Sequence, residues 1–251
     1  MTRTALVTGG SRGLGRATAL ALAADGTDVV VTYVHGAAAA DEVVAKIHAA
    51  GGRAAALALD TSAPETFAAF VDALRGVLAG WGAPGLHVLV NNAGVAAHTP
   101  LGGTTAAAVD ELYAIHVRGP VLLTQEVAPL LADGGHVLNV SIGLTRFVGA
   151  PGYSVYAAMK GAVEVWTRYL AKELGPRRIA VNAIAPGATA TDFGGGVIRD
   201  DERYRAMIAG GSAMGRVGEP DDIGRAAAAI VSSSLSWVTG QRIEASGGQL
   251  L

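Results

Sequence analysis

Thr8-Gly9-Gly10-Ser11-Arg12-Gly13-Leu14-Gly15 stands between an apolar run at 4–8 and a run of helical period that begins at 14. Its reading decides the fold. Glycines at 9, 13 and 15 let a backbone turn tightly and come close to a bulky anion. The helix behind them begins with free N–H groups and the positive end of its dipole. A glycine pattern alone is weak evidence, whereas its place between a first strand and a first helix makes it strong.

Outward from that loop the chain alternates. Strand candidates fall at 4–8, 29–33, 53–59, 87–91, 136–141, 179–185 and 241–245, and helix candidates near 14–24, 38–50, 64–79, 105–131, 155–175 and 220–233. Alternating β and α elements imply right-handed crossovers and a mostly parallel sheet with helices on both faces. The strands read as nearly continuous apolar runs, as expected when both faces are covered. The expectation is an α/β protein with a doubly wound parallel sheet of about seven strands, forming a single domain over 1–251. The stretch 188–215 shows no clear element and carries Gly194-Gly195-Gly196 and Gly210-Gly211. Long glycine-bearing segments inside compact domains are commonly lids.

Composition narrows the function. The chain has 251 residues, no cysteine and a formal net charge of −2. Disulfides, thiol nucleophiles and cysteine-ligated zinc are excluded, no other metal site is indicated, and there is no electrostatic case for nucleic acid or an anionic membrane. Hydrophobic residues make up 51%, but no unbroken apolar stretch reaches the ~18 residues of a membrane span. Met1-Thr2-Arg3-Thr4 runs directly into the first strand without a leader-like apolar region. A cytoplasmic protein acting on a small molecule is expected.

In such a sheet, ligands sit beyond the carboxyl ends of the strands near the switch point. The residues just after the strands are therefore the informative ones. Asp60-Thr61 follows the third strand, Asn91-Asn92-Ala93-Gly94 the fourth, and Pro186-Gly187 with Thr191 the sixth. Tyr156-Ala157-Ala158-Met159-Lys160 places a phenol and an ammonium at i and i+4, on one face of a helix. A tyrosine titrates near pH ~10, and a nearby ammonium favours its phenolate. The hydroxyl can then give a proton to a carbonyl oxygen or take one from an alcohol.

With its Gly-x-x-x-Gly-x-Gly spacing, Asn-Asn-Ala-Gly and Tyr-x-x-x-Lys in order, the chain resembles the short-chain dehydrogenase/reductase family over residues 4 to 251. The resemblance implies a Rossmann fold, a nicotinamide dinucleotide cofactor, and Tyr156 with Lys160 as the catalytic pair, Lys160 also binding the nicotinamide ribose. It places Gly9, Ser11, Arg12, Gly13, Leu14 and Gly15 at the phosphates, Asp60 and Thr61 at the adenine, and Asn92, Ala93 and Gly94 along the cleft. Pro186, Gly187 and Thr191 would meet the nicotinamide end. NAD-selective sites usually carry an acid after the second strand. Here Val31-Thr32-Tyr33-Val34-His35 has none, and Arg12 can pair with a 2′-phosphate, with Tyr33 and His35 beside it. NADP(H) is therefore expected.

Two positions depart from the family pattern. The serine that hydrogen-bonds the substrate carbonyl in relatives falls at Ile142. Ser141 lies one residue early and should point to the opposite strand face, unless a bulge brings it into service. The asparagine of the family's proton relay falls at His116. Pro120 has no N–H to give the carbonyl of His116, which would leave it free for the relay water. The imidazole is a candidate substrate donor or proton carrier near neutral pH, or else it fills space. Ile142, Leu144, Phe147, Val148, Pro151 and Tyr153 give a largely apolar pocket wall, and Arg146 is either a substrate anchor or a surface charge. The expected function is reduction of a carbonyl or imine on a small hydrophobic metabolite, such as a polyketide-like ketone. The alternatives are a non-redox tailoring reaction (dehydration or cyclisation) and a non-catalytic NADP-binding protein. Relatives associate through the two long helices, so a homotetramer or homodimer is expected.

Overall fold

The computed structural model describes residues 2–251. Seven parallel strands form one sheet: β1 Thr4–Val7, β2 Asp28–Tyr33, β3 Ala54–Ala58, β4 Leu86–Asn91, β5 Leu131–Val140, β6 Ala180–Pro186 and β7 Arg242–Ala245. Their order is β3-β2-β1-β4-β5-β6-β7. The chain starts in the middle, builds outward to β3, then crosses back to lay β4 beside β1. That reversal opens a crevice at the carboxyl ends of β1 and β4.

The alternation of side chains divides the core in two. Val7, Val31, Val90 and Ile184 face one way, against Leu22 of helix α1 (Gly13–Ala24), Val43 and Ile47 of α2 (Ala37–Ala49) and Ile223 of α9 (Pro220–Ile230). Leu6, Val30, Leu89 and Val181 face the other way. They meet Phe70 and Leu74 of α3 (Phe67–Gly80), Leu123 of α5 (Gly119–Val127) and Leu170 of α6 (Ser154–Leu174). The inner strands β1, β2, β4 and β6 are thus buried on both faces, which is why they read as unbroken apolar runs, whereas the edge strands β3 and β7 are only half-buried. All seven expected strands are present; β5 begins earlier than its expected start at 136 and contains a register shift opposite Leu86 and Val88.

Two expectations need correction. The single helix read over 105–131 is broken into α4 (Ala106–Tyr113), a π-helical turn over Ala114–Arg118, α5, and a final 3₁₀ turn. Pro120 is the cause: in a regular α-helix its ring meets the carbonyl of His116, and widening by one residue relieves that clash. The bulge also brings Gly119 onto Thr61, where any Cβ would collide with the Thr61 carbonyl. The stretch 188–215 is not irregular throughout. It contains a 3₁₀ turn at Phe193–Gly196, α7 (Val197–Asp200) and α8 (Glu202–Gly210). Its glycines concealed these elements: Gly194, Gly195 and Gly196 all have φ between +64° and +82° and turn the chain into α7. Among the described residues no helix is long and apolar enough to cross a membrane.

Candidate active site

The loop after β1 is shaped by three separate steric demands. Gly9 and Gly13 take left-handed φ of +62° and +54°. A Cβ on Gly10 would lie 2.8 Å from the Cβ of Val31, and one on Gly15 would collide with the Gly9 carbonyl oxygen and Asn92 Nδ2. Helix α1 starts at Gly13 with no side-chain cap, so the N–H groups of its first turn are left to an anion. Thr8 and Asn92 tie the loop after β1 to the loop after β4. The Thr8 hydroxyl accepts from the amides of Asn92 (2.9 Å) and Ala93 (3.0 Å). Asn92 Nδ2 donates to the carbonyls of Thr8 (2.8 Å) and Gly9 (3.1 Å). Its neighbour does different work: Asn91 Nδ2 donates to Thr124 Oγ1 and Asn139 Oδ1, tying β4 to α5 and β5.

At the adenosine end, Tyr33 is half-buried and His35 exposed at the close of β2. Asp60 Oδ1 accepts from the amide and hydroxyl of Ser62, fixing the turn that carries buried Thr61. The Arg12 side chain is 77% exposed and its Nη1 lies 3.2 Å from Asp192 Oδ2. Nothing in the sequence pointed to Asp192. Thr191 is buried beside Gly13, and Ser11 is buried within the loop. Gly187 follows β6 so closely on Ser246 that a Cβ would lie 2.7 Å from the serine's Cβ.

Tyr156 and Lys160 are both buried on one face of α6, where that helix passes the end of β5. Lys160 Nζ lies 5.8 Å from the centre of the Tyr156 ring and donates to the Val140 carbonyl at 2.8 Å. Burial pushes the Tyr156 hydroxyl pKa up from its ordinary value and lowers that of Lys160 to about 8. Phe193 stands over the tyrosine, ring centres 6.2 Å apart. Segments 98–99 and 151–153 are stapled together by the Thr99 amide on the Gly152 carbonyl (2.7 Å) and by His98 packed edge-on to Tyr153.

His116 is buried with its ring edge-on to Tyr156, centres 5.1 Å apart. Nε2 lies 2.8 Å from the Val95 carbonyl, a contact that requires its proton there. Nδ1 is left as a buried acceptor without a partner, over Gly94, where a Cβ would lie 2.7 Å from His116 Cε1. Burial, then the nearby Lys160 charge, lowers the imidazole pKa to about 3. The expectation of a proton carrier near neutral pH is therefore corrected, since the ring is neutral there. The alternative in which a bulge brings Ser141 into service is not the arrangement found. Ser141 is buried, and its hydroxyl donates to Glu164 Oε1 at 2.6 Å. Glu164 gathers Thr145 Oγ1 (2.7 Å) and Arg242 Nε (2.8 Å) at the same oxygen. Ile142 is half-buried and extended, and has no polar side-chain atom to offer. Arg146 is neither a substrate anchor nor a free surface charge: it grips Glu244 through Nε (2.6 Å) and Nη2 (2.7 Å). Val148 is 93% exposed, so the pocket wall read from 142–153 is only partly formed by the side chains named for it.

A phosphate loop at the switch point, with a tyrosine and lysine on the helix beyond β5, defines a dinucleotide-dependent oxidoreductase architecture. Residues 9–249 match the family described as enoyl-(acyl carrier protein) reductase, and the chain belongs to that family of short-chain dehydrogenases/reductases. It is 37% identical over 246 residues to an oxidoreductase of Methylorubrum extorquens, covering 98% of this chain and 97% of the other. Among solved structures, the promiscuous reductase LugOII, which catalyses keto-reduction at C1 during lugdunomycin biosynthesis, is 40% identical. It superposes with a TM-score of 0.91 over 99% of this chain and 97% of its own. The angucycline C-6 ketoreductase LanV, with bound NADP, is 38% identical with a TM-score of 0.92, over 99% and 95%.

Proposed function

We propose that this protein is an NADP(H)-dependent reductase of a ketone on a small hydrophobic metabolite, of the polycyclic kind suggested by its likeness to LanV and LugOII. The observation that carries the reading is the placement of Tyr156 and Lys160 on one buried face of α6, beside the crevice that the phosphate loop opens. The cradle suits the cofactor: left-handed Gly9 and Gly13 turn the loop tightly ahead of α1, whose first turn is uncapped. Arg12, with no acid after β2, suits a 2′-phosphate. Bound NADPH supplies the hydride to the carbonyl carbon. Tyr156 gives its hydroxyl proton to the carbonyl oxygen, and the Lys160 ammonium lowers the cost of the phenolate left behind. Asn92, Gly94 and Thr191 border the cleft, and 188–215 is its lid.

A second reading is favoured by one feature. With Ile142 in place and Ser141 held by Glu164, Tyr156 is the sole hydroxyl assigned to the substrate. A protonated cyclic imine needs no second donor to polarise its C=N bond, so imine reduction fits the same site. The subunits are taken to associate as a homodimer or homotetramer, for which the exposed Val165 and Tyr169 of α6 offer apolar surface. The test is NADPH oxidation, followed at its absorbance band, with a panel of polycyclic aromatic ketones and cyclic imines. Turnover that vanishes in Tyr156→Phe supports the reading, and calorimetric binding of neither NADPH nor NADH refutes it.

A further inference from the structure

The last residues of the chain do not trail away after β7. Gly247 and Gly248, at φ +62° and +73°, turn the backbone over the far root of the segment 188–215. There Met214 N donates to the Gly247 carbonyl (3.0 Å) and Ser212 Oγ to the same oxygen (2.9 Å). Leu250 N donates to the Gly211 carbonyl (2.8 Å). The near root is held as well: the Ala188 amide donates to Gln249 Oε1 at 2.9 Å. Four terminal residues thus bind both ends of a segment that carries Thr191 to the phosphate loop and Phe193 to Tyr156.

One side chain grips those residues from the catalytic loop. Arg146 Nη2 donates to the Gln249 carbonyl (2.5 Å) and Nη1 to the Leu250 carbonyl (3.0 Å). Its Nε and Nη2 meanwhile hold both oxygens of Glu244. The planar guanidinium can bridge a carboxylate and two successive carbonyls at once, while a lysine offers a point charge without that fork. We propose that Arg146 is a positioning residue: through Gln249 and Leu250 it clamps both roots of 188–215 to the loop after β5, and so sets Thr191 and Phe193 against the site. The functional half of this inference rests on the reductase reading; the clamp itself does not.

Two measurements separate them. Hydrogen–deuterium exchange of the full protein, without cofactor, should show the amides of 188–214 exchanging about 10- to 100-fold faster in Arg146→Ala, because the charge-assisted bonds that hold Gln249 and Leu250, and through them both roots of the segment, are lost. Exchange in β1, β4 and β5 should stay unchanged. Unaltered protection of 188–214 in that folded variant would overturn the clamp, whatever the enzyme does. Gln249→Ala, which keeps Arg146 and loses only the Ala188 contact, serves if Arg146→Ala fails to fold, and should loosen 188–193 selectively; unchanged protection there would likewise overturn the clamp. With turnover in hand, Arg146→Ala should raise KM for ketone and NADPH about ten-fold with kcat nearly unchanged, and Arg146→Lys should restore little of it. Unchanged KM values would overturn the positioning role. A wild-type protein that oxidises no NADPH would sink the reductase reading and leave the exchange result to decide the clamp.

Discussion

Ser141 gives its hydroxyl to Glu164 at 2.6 Å, two helical turns along α6 from Tyr156. Glu164 in turn is gripped by Arg242, with both carboxylate and guanidinium largely buried. A serine committed to a buried carboxylate cannot also polarise a carbonyl beside Tyr156 without giving up a charge-assisted bond. In the proposed reductase the place for a second donor falls at Ile142.

Restoring that donor should therefore speed carbonyl reduction. Ile142→Ser is expected to raise kcat for a ketone by about 10- to 100-fold, part of the range over which single oxyanion donors act. Imine turnover should change much less. Ser141→Ala should leave the ketone rate within a few-fold of wild type while lowering the melting temperature. A collapse of ketone turnover in Ser141→Ala, with folding intact, would show that Ser141 serves the substrate after all.

The sheet was legible because its inner strands are buried on both faces, so that apolar runs such as Val88-Leu89-Val90 alternate with segments of helical period. Tyr156 and Lys160 were legible through i, i+4 spacing. The same spacing continued one turn further reaches Glu164, a signal present in the sequence and not used. Asp192 left no trace, because its meeting with Arg12 depends on how 188–215 folds back across the crevice. The π-helical turn was half legible: Pro120 announces a fault in the helix, but its form also reflects the close approach of Gly119 to Thr61.

In the proposed mechanism Lys160 should set a pH limit on the reaction. Burial lowers its pKa to about 8, so it carries its proton below that pH and loses it above. In the proposed mechanism the ammonium eases proton donation from Tyr156, so kcat/KM for ketone reduction should fall as pH rises through about 8. Lys160→Met should be slow at every pH and lack that limb. A wild-type profile flat from pH 7 to 9.5 would count against the assignment.

Arg12 should decide the cofactor. Arg12→Ala is expected to weaken NADPH binding by about 10- to 100-fold, the worth of a charge-assisted phosphate contact, and to leave NADH nearly unchanged. Asp192→Asn should tighten NADPH slightly, about two- to five-fold, since an exposed ion pair competes for the guanidinium with ~1 kcal/mol or less. Calorimetric titration with both cofactors reads each variant. Equal losses for NADPH and NADH in Arg12→Ala would assign the arginine to the shared pyrophosphate instead.

The buried histidines should make the fold sensitive to mild acid. His116 and His136 are held neutral, with pKa values lowered to about 3 and about 4 from 6.5, chiefly by burial. The unfolded chain takes up their protons first, so stability is full above pH 6.5 and declines as pH falls toward those folded values. At pH 5 each contributes a loss of about 2 kcal/mol, from ~1.4 kcal/mol per pH unit. Asp222 and Glu244, lowered to about 2 by their arginines, add to this only below pH ~4.5. Urea midpoints should therefore drop between pH 7.5 and 5, before carboxylates titrate. In His136→Gln that drop should shrink by about 2 kcal/mol, half of the pair's contribution. If the variant loses as much as the wild type over this interval, the acid sensitivity arises elsewhere and the ring of His136 accepts a proton in the folded protein.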